Sequence, residues 1–199
     1  AVLPLSSLTQ VESLGLAPGV FSFDIDFWKQ REAETRPRSV TELFSAMVTG
    51  SMPGVLSGKY SNLPVFYENY IRTYIERDVR RLLGNVDALQ YAYFMRAVAA
   101  RCAQMLNVAA IAEDVGIRQE KAKTWLSALE RSGIIFYLHP YSNNQLKRTV
   151  KAPKLYCHDC GLMAHLTRWT SPETMEAGAM AGTFMENFVV SEIYKSYLN

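Results

Sequence analysis

Cysteine and histidine side chains cluster in the segment Cys157-His158-Asp159-Cys160, with His165 close by. The two cysteines have the spacing of a zinc-binding or redox pair. A structural zinc site of this kind usually needs a second pair of ligands at a distance. Apart from this segment the chain has a single cysteine, Cys102, and no paired histidines. We therefore expect no metal, and we interpret the two cysteines as small buried thiols at the end of a strand.

A glycine-containing stretch, Gly54-Val-Leu-Ser-Gly58-Lys59-Tyr60, has some features of a phosphate-binding loop. Such a loop needs four residues between its glycines, and a Ser or Thr after the lysine to bind the metal. Here three residues intervene and Tyr60 follows Lys59, so nucleotide binding is not predicted. His139, before Pro140, is interpreted as a strand-end side chain, because no nucleophile is near it in sequence. Without a nucleophile and base or a complete carboxylate set, we expect no free-standing enzyme.

Positive charge is concentrated in residues 118–154, although the formal net charge of the chain is only +2. This segment has eight Lys or Arg and two Glu, which gives it +6 and leaves −4 for the remainder. Such asymmetry favours a polyanionic partner, although lysines on a helix usually form only a solvated face. The residues expected to contact double-stranded DNA are Arg118, Gln119, Lys121, Lys123, Thr124, Lys147, Arg148 and Lys151.

Two helices and a hairpin would position these residues. Asn107 can cap a helix that Gly116 ends. The next helix, from 118 to 132, has apolar residues at i, i+3, i+4 and i+7, so its basic residues share the opposite face. The pattern then becomes extended over 134–139, and the segment 142–144 would turn the chain back towards 154–157. Helix, turn, helix, hairpin is the order of a winged helix-turn-helix with a β-hairpin wing.

Further helical segments are predicted on both sides of this unit. The strongest spans 67–83, and another from about 87 to 104 would be the first helix of the winged unit, with Leu89 and Tyr93 among its inward residues. An amphipathic helix covers 183–198. We therefore predict a mainly α fold with three regions: a helical region (1–86), a winged helix-turn-helix (87–160) and a C-terminal segment (161–199).

Composition limits the class of protein. With 199 residues, 49% of them hydrophobic and 20% charged, the chain can bury the core of one or two domains. No apolar run approaches the roughly 20 residues that cross a bilayer, and the start lacks a basic region and a small-residue cleavage site. An odd, low cysteine count disfavours a disulfide framework. We therefore expect a cytoplasmic protein with no membrane partner.

Short motifs along the chain, in their order, resemble the uncharacterised C-terminal domain of predicted AAA+-like ATP-binding proteins of bacteria and archaea. Each motif is weak alone, but the ordered set is specific and covers nearly the whole chain. The matching segments are Leu3-Pro-Leu-Ser6, Gly50-Ser-Met-Pro53, Tyr70-Ile-Arg-Thr-Tyr-Ile-Glu-Arg-Asp78, Leu106-Asn107, Lys147-Arg148, Lys151-Ala-Pro-Lys-Leu-Tyr156, Asp159-Cys-Gly-Leu162 and Glu186-Asn-Phe-Val-Val-Ser-Glu192.

The resemblance implies that this chain is a fragment. Ala1 to Leu5 would end an ATPase core, so ATP and Mg²⁺ would belong to the full-length protein and no cofactor is expected here. Thr183 to Asn199 would be the first helix of a truncated restriction-endonuclease-like domain, with Glu186 or Glu192 as its helix acid. Two departures from the family stand out: Phe66 replaces a usual Trp, and the cysteines of the CxxC segment replace a usual Phe and Thr.

These observations predict a non-catalytic DNA-binding module of a larger AAA+-like ATPase. Its partners would be double-stranded DNA and the ATPase core of the same protein. The alternative is a protein-docking adaptor that couples the ATPase to a partner or to itself, for example as a homo-oligomer. Affinity for a duplex that falls with salt would distinguish the two, because phosphate neutralisation releases counterions.

Overall fold

The structure is a computed structural model that describes residues 6–17, 19–141 and 151–198. Most of these residues are helical, and three short strands form one sheet, so the mainly α prediction is confirmed. The elements in chain order are α1 (Gln10–Ser13), α2 (Ile25–Glu34), α3 (Val40–Thr49), α4 (Pro53–Leu56), α5 (Leu63–Thr73), a π-helical segment (Tyr74–Val79), α6 (Arg80–Leu83), α7 (Ala88–Ala99), β1 (Gln104–Met105), α8 (Val108–Val115), α9 (Gln119–Arg131), β2 (Ile135–Leu138), β3 (Lys154–Cys157), α10 (Cys160–Thr167), α11 (Pro172–Ala177) and α12 (Ala181–Ser196).

Side-chain caps start several of these helices. Thr9 and Ser39 form capping boxes at α1 and α3, which satisfy backbone N–H groups that a helix start leaves free. The Asn107 side chain accepts a hydrogen bond from the Ala110 N–H at 3.0 Å. Gly116 ends α8 in the left-handed conformation with φ 68°. The predicted start and end of α8 are therefore confirmed.

The sheet is antiparallel, with strand order β1-β3-β2. Gln104 of β1 pairs with Leu155, and Ile135 of β2 pairs with Cys157. Strand β1 was not predicted, because helix α7 was expected to continue to Gln104. It ends at Ala99 instead, and Ala103 adopts φ 60° and donates its N–H to the Leu155 carbonyl at 2.7 Å. The backbone reversal at Ala103 thus converts a predicted helix end into an edge strand.

The predicted inward face of α7 is wrong at two positions. Leu89 and Tyr93 were expected inward but are 65% and 52% exposed. Tyr91 and Phe94 are buried instead, with ring centroids 4.9 and 5.2 Å from that of Trp125. Apolar residues occur all round this helix, so periodicity does not determine which face is buried. Packing against α9 determines it.

One cluster of buried apolar side chains includes residues of all three predicted regions. It contains Phe44 of α3, Ile71 of α5, Trp125 of α9, Met163 of α10 and Phe184 of α12. The sequence between 87 and 160 therefore shares its core with the segments before and after it. The division into three regions stays a prediction.

The C-terminal helix covers the second face of the sheet. Phe136 of β2 stacks on Tyr156 of β3 with 5.4 Å between ring centroids, and on Tyr194 of α12 with 4.2 Å. This aromatic stack joins a helix near the end of the chain to a sheet that begins at residue 104. No helix of the described residues is long and apolar enough to cross a membrane.

Candidate nucleic-acid interface

Helix α9 has one buried and one exposed face. Ala122, Trp125, Leu126 and Leu129 are at most 3% exposed, so the predicted apolar face is confirmed. The predicted DNA-contact residues of this segment all lie on the exposed side. These are Arg118, Gln119, Lys121, Lys123 and Thr124. The structure therefore leaves five of the eight predicted residues exposed along α9, and we call these five residues the α9 face.

Lys121 is exposed but already has partners. Its Nζ donates a hydrogen bond to Gln90 Oε1 of α7 at 2.8 Å and lies 4.6 Å from the centroid of the Trp125 indole ring. The negative face of the ring attracts the ammonium group. A phosphate would have to compete with both interactions. Sequence reasoning missed Gln90, because its position depends on how α7 packs on α9 and no local pattern marks it.

Arg118 and Lys123 have no ion-pair partner among the residues that the structure describes. The acidic residues of the same helix segment, Glu120 and Glu130, are also exposed. The Thr124 hydroxyl donates to the Glu120 carbonyl at 2.9 Å and keeps its ability to accept a hydrogen bond. The α9 face can therefore supply cationic groups for phosphates and hydrogen-bonding groups for base edges.

The arm that was predicted to flank this face is described only in part. Lys147 and Arg148 lie outside the described residues. Lys151 is exposed on the segment that leads to β3. Lys154 is paired, since its Nζ lies 2.6 Å from Glu186 Oε1. Asp78 accepts a hydrogen bond from Arg77 Nε at 2.9 Å.

The CxxC segment is buried. Cys157 and Cys160 are 1% and 5% exposed, as expected for thiols at a strand end. The Cys157 Sγ lies 3.1 Å from the Cys102 Sγ, and this contact together with burial raises the pKa of the Cys157 thiol. Burial raises the pKa of Cys160 to about 12. In the described part of the chain, no three His, Cys, Asp or Glu side chains are placed to hold a metal ion.

A buried polar junction lies beside the CxxC segment, and sequence reasoning did not predict it. Asp159 is 4% exposed and accepts hydrogen bonds from the Ser51 N–H at 2.7 Å, the Tyr67 hydroxyl at 3.1 Å and the Leu162 N–H at 2.7 Å. Gly161 packs so closely that a Cβ there would lie 2.8 Å from the Gly50 Cα. A carboxylate with this many donors is a structural group, since it has little capacity left for a ligand. The sequence signal that could have indicated this junction is an Asp directly before an apolar helix.

The Gly54–Lys59 stretch does not fit a nucleotide. It forms α4 and the turn after it, and the N–H groups of Ser57 and Gly58 donate to the carbonyls of Pro53 and Val55, each at 3.0 Å. Amides engaged in this way cannot surround a phosphate. The backbone of this stretch therefore does not form a phosphate-binding loop.

The acids that the resemblance assigned to a nuclease-like helix are bound within the chain. Glu186 accepts from Lys154 Nζ at 2.6 Å and from the Tyr156 hydroxyl at 2.8 Å, and the hydrogen bond with Lys154 lowers the pKa of this carboxyl. Glu192 accepts from the Gln10 N–H at 2.6 Å and pairs with Lys195. Both carboxylates join α12 to other elements.

The described residues define a mainly helical protein with a small antiparallel sheet and with exposed basic residues on α9. The chain belongs to the family described as a domain of unknown function, DUF8612, whose model matches residues 40–173. The match begins at α3 and ends in α11, so it includes the α9 face and the buried junction.

Two mycobacterial proteins are similar to this chain. The uncharacterized protein Mb2031c of Mycobacterium bovis and the uncharacterized protein Rv2008c of Mycobacterium tuberculosis are each 25% identical to it over 144 residues, which is 72% of this chain. The chain spans about a third of the length of these curated relatives. No solved structure matches it.

Proposed function

We propose that residues 87–160 form a winged helix-turn-helix that binds double-stranded DNA through the α9 face. One observation carries this proposal. The exposed side of α9 has cationic side chains that no acidic residue pairs with among the described residues, and it also has Gln119 and Thr124. The other side of α9 is packed in the core. Duplex binding needs cations for phosphates and hydrogen-bonding groups for base edges on one rigid helix.

The order of elements supports this assignment. From α7 to β3 the chain runs helix, strand, helix, helix, strand, strand, and β3 pairs with both other strands. In a winged helix-turn-helix the second helix of the turn enters the major groove, which here is α9. The wing would be the segment between β2 and β3, and Lys147, Arg148 and Lys151 would contact the flanking phosphates.

The proposed module is non-catalytic and serves a larger AAA+-like ATPase of the cytoplasm. The motifs quoted above resemble a domain of such proteins, and the chain spans about a third of its relatives' length. Nucleotide hydrolysis would occur in the ATPase core of the same protein, which makes that core the second partner.

Single lysine variants test the α9 face. We expect Lys123→Ala to weaken binding to any labelled duplex severalfold in fluorescence anisotropy, because the variant neutralises one phosphate fewer. The matched control is Lys29→Ala on α2, another exposed lysine, which lies 3.7 Å from Asp26. It should leave the affinity unchanged. Equal decreases in both variants would indicate nonspecific attraction and contradict the proposal.

The alternative is a protein-docking adaptor that couples the ATPase to a partner or to another copy of this chain. Large apolar side chains near α2 favour it, since Phe23, Ile25 and Trp28 are 92%, 68% and 47% exposed. Duplex affinity that is absent, or that does not respond to substitutions in the α9 face, would move the assignment to this alternative.

A further inference from the structure

A groove separate from the α9 face lies between the loop after α4 and helix α5. Its volume is about 570 Å³. Its walls combine three aromatic rings with two side-chain amides and a lysine. These are Tyr60, Phe66, Tyr70, Asn62, Asn69 and Lys59. We infer that this aromatic groove binds single-stranded DNA by stacking unpaired bases on its rings.

The rings form a stepped series along the groove. Phe66 and Tyr70 are four residues apart on α5, with ring centroids 6.4 Å apart and an interplanar angle of 23°. Tyr60 extends the series from the loop, 5.1 Å from Phe66. Tyr60 is 43% exposed, whereas the other two residues are half-buried. Bases of any sequence have flat π faces that can stack on such rings.

Gly54 supports the Tyr60 ring from behind. A Cβ at Gly54 would lie 3.2 Å from Tyr60 Cε2 and 3.6 Å from Phe66 Cε2. The absence of a side chain at this position of α4 therefore lets the ring lie close to the helix. Fixing the ring before binding reduces the entropy that a ligand must overcome.

Polar groups along the groove can bind base edges and sugar or phosphate oxygens. The Asn62 Oδ1 accepts from the Val65 N–H at 3.1 Å, and the Asn69 Oδ1 accepts from Arg72 Nη2 at 2.8 Å. These hydrogen bonds use the oxygens. The two amide nitrogens, which are donors, have no hydrogen-bond partner among the described residues, so they can donate to a base or phosphate oxygen.

Positive charge borders the groove and continues along the same helix. The Lys59 Nζ lies 5.4 Å from the Tyr60 ring centroid. Beyond Tyr70, exposed arginines follow through the π-helical segment into α6, namely Arg72, Arg77, Arg80 and Arg81. Residues 59–81 hold these five cations against three acids, Glu68, Glu76 and Asp78. Asp78 pairs with Arg77, and Glu68 Oε2 lies 3.3 Å from His165 Nε2.

These features favour a single strand over a duplex. Paired bases present only their edges in a groove and cannot stack on Tyr60, whereas unpaired bases can. A positively charged path with aromatic rings is the arrangement that binds single strands without sequence preference. The site does not depend on the α9 face, so the chain would hold a duplex and an unpaired strand on different surfaces.

Anisotropy with a labelled oligothymidylate of about 12 nucleotides, within the usual range for such sites, tests the inference. We expect Tyr60→Ala to weaken its binding about tenfold, the effect of removing the ring under one stacked base, and to leave duplex binding unchanged. Tyr93→Ala is the matched control, because Tyr93 is 52% exposed and Arg96 lies over its ring at 5.6 Å. It should change neither affinity.

Gly54→Ala provides a second variant that keeps every groove side chain and displaces the Tyr60 ring. It should also weaken oligothymidylate binding, with circular dichroism confirming an intact fold. No oligothymidylate binding by the unaltered chain, or equal effects of Tyr60→Ala and Tyr93→Ala, would overturn the inference. If Lys123→Ala weakens duplex binding and leaves oligothymidylate binding unchanged, that result concerns only the α9 face. It agrees with an aromatic groove that binds single strands independently.

Discussion

The side chains of His158 and Asp159 are adjacent in sequence but differ in their hydrogen bonding. Asp159 accepts hydrogen bonds from the Ser51 and Leu162 N–H groups and from the Tyr67 hydroxyl. His158 packs between Phe136 and Tyr194, and its Nδ1 is buried without a hydrogen-bond partner among the described residues. Burial, with a smaller effect of Lys195, lowers the pKa of His158 from its ordinary 6.5 to about 4. The folded protein therefore stabilises the neutral form of the His158 imidazole relative to the charged form.

The His158 environment predicts acid sensitivity. The unfolded chain takes up a proton near pH 6.5, whereas the folded chain takes it up only near pH 4. Stability that is present above the unfolded pKa is therefore lost as the pH falls through this window. We expect His158 to account for about 2 kcal/mol of unfolding free energy lost between about pH 7 and about pH 5.

Urea unfolding of the unaltered chain and of His158→Phe over this pH range measures that change. Phenylalanine fits the aromatic surroundings and has no proton to gain, so the variant should lose about 2 kcal/mol less than the unaltered chain over the same range. Identical pH profiles for the two proteins would show that His158 is not responsible.

At the scale of elements, local signals predicted helix ends and the face of α9 well. Asn107 and Gly116 mark α8 because capping and left-handed backbone are local properties. A single apolar stripe oriented α9 and so predicted its exposed basic side. Apolar residues on several sides of α7 left its orientation undetermined, and Leu89 and Tyr93 were placed on the wrong side. Regular spacing also could not mark the π-helical segment or the turn at Ala103.

The core face of α9 gives a stability prediction. Trp125 is 3% exposed and contacts the rings of Tyr91 and Phe94, so Trp125→Ala should cost about 3 to 5 kcal/mol of unfolding free energy. Trp28→Ala is the control, because Trp28 is 47% exposed. Thermal unfolding of both variants measures the difference. An unchanged midpoint for Trp125→Ala would contradict the observed packing of α7 on α9.

Two glycines in first turns of helices should respond oppositely to alanine. A Cβ at Gly161 of α10 would collide with the Tyr67 hydroxyl, whereas Gly182 of α12 has no neighbour within 4 Å of a Cβ. We expect Gly161→Ala to destabilise the fold by more than about 1 kcal/mol through overpacking. Gly182→Ala should stabilise it by about 0.5 to 1 kcal/mol through lower backbone entropy in the unfolded chain. Equal changes in unfolding free energy for the two variants, measured by chemical denaturation, would mean that the buried junction around Gly161 adapts to a methyl group.

At the scale of the whole molecule, the interactions that unite the chain join residues far apart in sequence. The buried junction brings together Ser51, Tyr67 and Asp159, and Lys195 Nζ donates to the Leu8 carbonyl at 2.8 Å. Several of the motifs that carry the family resemblance contact one another at the buried junction. The spacing of these motifs in the sequence did not predict this structural role. Composition and charge indicated the basic surface, but its ion pairs and competing hydrogen bonds depend on tertiary packing.

The most direct test of the central proposal is the salt dependence of duplex affinity. The logarithm of the association constant should fall linearly with the logarithm of salt concentration for the unaltered chain. In a variant with Lys147, Arg148 and Lys151 all changed to Ala, the slope should become shallower by roughly 0.9 for each phosphate that the variant no longer neutralises, about equally for all duplex sequences. An unchanged slope and affinity in that variant, or no salt dependence at all, would contradict duplex binding by a winged helix-turn-helix.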